Sequence, residues 1–154
     1  MLKALCLSLL LSIPVFAQTL PSPKSTIKLF ENATIAPGKT PITLRGISGG
    51  SKETQELSRT PKTETGECIG FVDSNPDHEI TLTAQLNYLR LSVKSPGDTI
   101  LLIKGPGGTW CNDDSTDRNP RIEGQWLAGT YQIWVGSYSK DTSYPYLLEI
   151  SESP

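Results

Sequence analysis

The stretch TYQIWVGSY, residues 130–138, places Tyr131, Ile133 and Val135 on one side of an extended chain and Gln132 and Trp134 on the other. A repeat of two is the period of a β-strand with one face in a core, and β-branched and aromatic residues suit that conformation. The same period recurs outward along the chain. TPITLRGIS alternates Ile42 and Leu44 against Thr43 and Arg45, EITLTA alternates Ile80 and Leu82 against threonines, and YLRLSV sets Leu89, Leu91 and Val93 on one face. TILLIKG is a continuous apolar run, as expected of a central strand. CIGFV, TWC, RIEGQW and YPYLLEIS complete the series, with Gly, Pro, Asn and Asp turns between them. No stretch sustains a 3.6-residue repeat. Short strands at this spacing predict an antiparallel β-sandwich.

The chain has 154 residues and a formal charge of −2, with 14 basic against 16 acidic residues. It shows no basic cluster, which argues against nucleic acid and anionic membrane as partners. Residues 1–17 read as a signal peptide. Lys3 precedes the apolar run Ala4 to Phe16, and Val15-Phe16-Ala17 sets up cleavage after Ala17. That run is shorter than the roughly 20 residues of a membrane-spanning helix, so no membrane insertion is expected and the mature protein is periplasmic or secreted. Residues 18–39 carry Pro21, Pro23 and Pro37 without periodicity and read as a flexible arm. The sandwich is expected over 40–152. Within it, 48–67 has one large apolar residue, Leu57, and reads as a long polar loop.

Export also decides how the cysteines are read. Cys6 falls in the leader, leaving Cys68 and Cys111 to mature where paired thiols persist. Closing a loop of about 44 residues would stabilise the fold by roughly 4 kcal/mol on the chain-entropy model.

ECIGFVDSNPDHEITL, GDTILLIKGPGGTWCNDDS, NPRIEGQWLAGTYQIWVGSY and PYLLEIS together resemble the bacterial pre-peptidase C-terminal domain family, in particular stand-alone exported versions in cyanobacteria and proteobacteria. The resemblance spans about residues 40 to 152 and is best after 66. It implies a jelly-roll-like sandwich of about eight strands without an active site, in a family whose members accompany secreted proteases and assist secretion, substrate binding or processing.

Three sites have chemistry to weigh. Gly46-Ile47-Ser48-Gly49-Gly50 differs by one residue from the Gly-Asp-Ser-Gly-Gly nucleophile loop of serine proteases. The sole histidine, His78, follows Ser48, the wrong order for that family, and no helix pattern follows the serine as a nucleophile elbow requires. Ser48 therefore reads as the start of a loop, His78 as a hydrogen-bonded turn residue, and a serine hydrolase as the least favoured function. Asn112, Asp113, Asp114, Asp117 and Asn119 crowd oxygen ligands onto one loop, which suits Ca2+. Arg118 and Arg121 offer the alternative, an Asx-turn loop with its carboxylates neutralised. Aromatic residues concentrate between 110 and 146. Trp110 and Trp126 read as core, and Trp134, with Tyr138 and Tyr144, as the exposed set able to hold a ligand.

The function expected from these observations is an exported, non-enzymatic binding or accessory module for an envelope or extracellular polysaccharide or a partner protein. A calcium-stabilised structural or secretion-assisting domain is the alternative.

Overall fold

The computed structural model describes residues 27–115 and 117–154. The expected leader and residues 18–26 of the arm lie outside the described residues. In chain order the elements are β1 (Ala33–Ile35), β2 (Ile42–Ile47), β3 (Lys52–Glu53), α1 (Thr54–Ser58), β4 (Lys62–Thr63), β5 (Gly66–Glu67) and β6 (Phe71–Val72). There follow β7 (His78–Leu82), β8 (Leu86–Lys94), β9 (Thr99–Gly105), β10 (Gly108–Asn112), β11 (Arg121–Trp126), β12 (Gly129–Ser137) and β13 (Pro145–Ser151). β2 and β7 to β13 are the strands of five residues or more among the described residues. They coincide with strand segments read from the sequence.

Two sheets face each other. One runs β11-β8-β13-β2. The other is centred on β12, which pairs with β9 on one side and, on the other, with β7 along its first half and with β6 at Ser137. β10 continues this sheet beyond β9, β3 pairs with β6, and β1 runs parallel to β7. The β1–β7 pair is the one parallel pairing among the described residues.

The inward faces meet in one core. Ile80, Ile103, Ile133 and Val135 from the larger sheet pack against Leu89, Leu91, Leu148 and Ile150 from the smaller. Each such side chain contributes about 1.5–3 kcal/mol relative to an exposed one.

The segments read as a loose arm and a loose loop are built differently. In the arm, β1 places Ile35 fully inside the core, and Ala33 to Ile35 pair with Ile80 to Leu82. In the loop, α1 is too short to hold on propensity alone. It is fixed by Thr54 Oγ1 donating to Gly70 O (3.0 Å), by Lys104 Nζ donating to Leu57 O (3.0 Å), and by Leu57 packing inward. Arg59 ends it in the left-handed conformation (φ 59°). The β4–β5 hairpin is pinned to β10, where Thr65 Oγ1 donates to Cys111 O (2.8 Å) and Cys111 N to Thr63 Oγ1 (3.0 Å). Residues 52–69 thus cover the outer face of the larger sheet.

Beneath that cover lies a second core of Cys68, Val72, Ile100, Leu102, Cys111 and Trp134. It explains why every residue of β9 from Thr99 to Ile103 is buried: Leu101 and Ile103 face the main core, and Ile100 and Leu102 the second. The Cys68–Cys111 disulfide is present, its Cα atoms 5.1 Å apart.

Because the bond spans 43 residues, the Cys68→Ser/Cys111→Ser double substitution is expected to cost at most about 4 kcal/mol. The check is a lowered urea midpoint, together with thiols that alkylate in the denatured mature protein only after reduction. An unchanged midpoint would mean that packing alone holds the cover in place.

Candidate functional site

Ser48 is buried, not the start of a loose loop. Its Oγ lies 2.8 Å from Ser137 Oγ and accepts from Tyr144 N (3.1 Å), joining the end of β2 to β12 of the opposite sheet. The glycines after it serve backbone contact. Gly50 has φ +131°, and a Cβ there would fall 1.9 Å from the Val72 carbonyl carbon. His78 is a strand residue with both ring nitrogens engaged, Nδ1 at 2.7 Å from Glu31 O and Nε2 at 2.8 Å from Tyr146 Oη. No Ser48–His78 hydrogen bond exists, so the pair lacks the contact a nucleophile and its base require.

Asp77, beside His78, has a structural task. Between the end of β6 and the start of β7 the middle of β12 lacks a strand on that side. Asp77 Oδ2 fills the gap by accepting from Val135 N (2.7 Å), while Gly49 N donates to Val135 O (3.3 Å). Burial pushes the Asp77 carboxyl up to about 7 against the pull of the Val135 amide, with Asp73 adding to the rise. Burial likewise holds the His78 imidazolium below its ordinary value and raises Tyr146.

The side chains of the acidic loop have several separate partners. Asn112 is spent on the fold, its Nδ2 donating to Thr65 O (2.7 Å) and its Oδ1 accepting from Arg121 N (3.0 Å). Asn119 Oδ1 accepts from Thr99 Oγ1 (2.9 Å), and its Nδ2 donates to Ser95 O (3.1 Å). Asp117 Oδ1 closes an Asx-type turn by accepting from Asn119 N (2.9 Å). Burial raises the carboxyl of Asp98, and the fields of Asp114 and Asp113 add to the rise while Arg118 opposes it. Among the described residues no group of three His, Cys, Asp or Glu side chains is placed to hold a metal ion. Two of the five expected ligands, Asn112 and Asn119, are thus engaged in hydrogen bonds to other parts of the fold.

The expected exposed aromatics are also redistributed. Trp134 does lie opposite the aliphatic face of β12, but the cover of residues 52–69 closes that side and leaves it 4 % exposed against the disulfide. Tyr138 is exposed, whereas the Tyr144 ring lies on Gly97, where a Cβ would meet it at 2.2 Å.

The aromatic surface that is open lies elsewhere. A cleft of about 350 Å³ opens where the two sheets fail to join, between β10, which pairs only with β9, and β11, which pairs only with β8. Trp126 and Tyr131 form its floor and are held rigidly. Trp126 Nε1 donates to Leu89 O (3.0 Å) and Tyr131 Oη to Leu127 O (2.9 Å), and the two rings meet edge-on at 4.8 Å. Trp110 stacks against Trp126 at 6.0 Å and is only partly buried; Leu127, 46 % exposed, stands at the mouth. The register of β11 shifts between Gly124 and Trp126, which breaks the ladder edge beside the cleft. Trp110 and Trp126 do pack on the core as the sequence suggests, but the sequence does not reveal that the same rings line an opening.

No helix among the described residues is long and apolar enough to cross a membrane.

The raised Asp77 carboxyl makes stability depend on pH with a definite sign. Its contribution is full below the unfolded value of 3.8 and is lost as pH rises toward about 7. The lowered His78 runs oppositely, losing stability as pH falls below its ordinary 6.5. Asp77→Asn isolates the first effect, since the amide oxygen still accepts from Val135. The variant should match the parent near pH 4 and exceed it near pH 8, by at most about 4 kcal/mol, in urea midpoints measured at both. Parallel profiles would refute the buried titration.

No family model matches the chain. The pre-peptidase C-terminal domain of a Bacillus anthracis collagenase superposes with a TM-score of 0.48 at 10% identity, covering 78% of this chain and 94% of that one. PliG of Aeromonas hydrophila, a periplasmic inhibitor of g-type lysozyme, superposes with a TM-score of 0.44 at 15% identity, covering 79% and 96%. Neither likeness assigns a role to a residue here. In sequence, the uncharacterized protein Synpcc7942_2126 of Synechococcus elongatus is 33% identical over 114 residues, spanning 71% of this chain and 75% of its own. With a third of the positions shared over most of both chains, this protein belongs to the same family as that Synechococcus elongatus protein.

Proposed function

We propose that the chain is an exported, non-enzymatic binding module that holds a segment of an envelope or extracellular polymer, or of a partner protein, in the cleft between β10 and β11. The observation that carries this reading is the cleft itself: two fixed aromatic rings at its floor, a partly open Trp110 at its wall and Leu127 at its mouth. Its volume of about 350 Å³ falls within the range of ligand pockets, about 300–1,000 Å³. Planar, preorganised rings bury much ligand surface at little entropic cost. The engagement of Ser48 and His78 in the fold supports the non-enzymatic part. The leader pattern and the disulfide support export.

The test is a titration of the oxidised protein with soluble envelope-polysaccharide fragments and with peptides of varied composition, followed by the indole amide resonances. A true ligand should move the Trp110 resonance, and Trp110→Ala should weaken binding at least tenfold; because Trp110 packs on the core, this variant should also melt lower than the parent while keeping the disulfide. Leu127→Ala, at an exposed position, serves as a second variant with little effect on folding. Unchanged binding in both variants would remove the cleft from consideration.

A further inference from the structure

The carboxylates at the cleft narrow what it can accept. Its charged lining residues are Glu64 and Glu123, and neither a lysine nor an arginine lines it. Glu64 is exposed at the tip of the β4–β5 hairpin and has no hydrogen-bond or ion-pair partner among the described residues. Glu123 accepts from Tyr88 Oη (3.0 Å), and Arg121, outside the lining, approaches it at 3.6 Å. Two acidic groups therefore share the cleft with aromatic rings, whose quadrupoles also attract cations. An aliphatic stem carrying an ammonium or guanidinium matches both parts: methylenes against Trp110 and Leu127, charge toward the carboxylates.

The chain on either side of the cleft indicates what presents such a group. Among the described residues β10 and β11 each lack a strand neighbour on one edge; Cys111 and Arg121 on those edges are already bonded to Thr63, Thr65 and Asn112, which leaves only a short stretch of each to exchange hydrogen bonds with an extended backbone. The shift between Gly124 and Trp126 interrupts the β11 edge, so a long added strand cannot continue along it. A short segment anchored by its side chain can.

We infer that the cleft receives a lysine or arginine side chain from an extended segment of a partner protein, seated on Trp110 and paired with Glu64 and Glu123. This rests on the reading of the cleft as the binding site. Electrostatic pairing at an open rim is screened by salt, so binding should weaken as ionic strength rises.

The experiment titrates the oxidised full chain with short capped peptides that differ only at a central residue: lysine, arginine, N-acetyl-lysine or glutamate. Indole amide shifts and intrinsic fluorescence are the readouts. The lysine and arginine peptides should bind and shift Trp110, with the acetylated peptide at least tenfold weaker and the glutamate peptide inert. Glu64→Gln with Glu123→Gln preserves the shape of the cleft and should weaken the lysine peptide at least tenfold and flatten its salt dependence. If the acetylated peptide or a neutral oligosaccharide shifts Trp110 as strongly, and the glutamine variant binds as the parent does, the cationic assignment is overturned while the cleft remains a binding site. If no peptide shifts Trp110 the assignment is likewise overturned, and the polysaccharide arm of the earlier titration then decides whether the cleft binds at all.

Discussion

The larger sheet has hydrophobic residues on both faces, and the structure depends on the second face being covered. A sandwich with only one apolar side per sheet would leave Ile100, Leu102 and Trp134 in water. The cover that prevents this, residues 52–69, is poor in apolar groups and would not collapse onto the sheet by hydrophobic burial alone. It is held by means that do not need such burial: the Cys68–Cys111 bond at one end, threonine hydroxyls on the β10 backbone, and Lys104 on the carbonyl of Leu57. The indole nitrogen of Trp134 has no hydrogen-bond partner among the described residues. Leaving a buried donor unpaired costs about 1–3 kcal/mol, so packing around the disulfide must outweigh that cost.

This arrangement separates what was readable in the sequence from what was not. The strands of five residues or more could be read because a half-buried strand writes its period into neighbouring residues, as Leu89, Leu91 and Val93 do. The two cysteines could be paired because Cys6 falls in the segment that reads as a leader. The cover could not, since its attachments are side-chain-to-backbone bonds between segments about 48 residues apart, which leave no periodic trace. Trp134 was misplaced for the same reason: period two assigns a side, and only the tertiary fold says whether that side is wet. β1 escaped because three residues paired in parallel with a strand far along the chain are too few to show a period.

The candidate cleft has a related origin. Trp110, Trp126 and Tyr131 sit on three strands, and each alone reads as a core aromatic. Their opening to solvent comes from the mismatch between two sheets that approach at β10 and β11 without pairing. The acidic loop shows the converse. Its letters group oxygen ligands, and two of them, Asn112 and Asn119, also tie that loop to the rest of the fold. Local composition is a poor guide where side chains serve distant backbone.

The order of strands in the smaller sheet has a kinetic consequence. β13, the last strand among the described residues, lies between β8 and β2, with Ile42 opposite Ile150 and Leu44 opposite Leu148. Until it arrives, β2 has no neighbour and β8 holds only β11. Contacts of such long sequence separation form slowly, because loop closure must precede any gain from pairing. The nearer pairings, β9 with β10 and β7 with β12, can form first, but the sandwich closes only when the chain through Ser151 is free to enter it. A nascent chain therefore remains threadable until β13 has emerged.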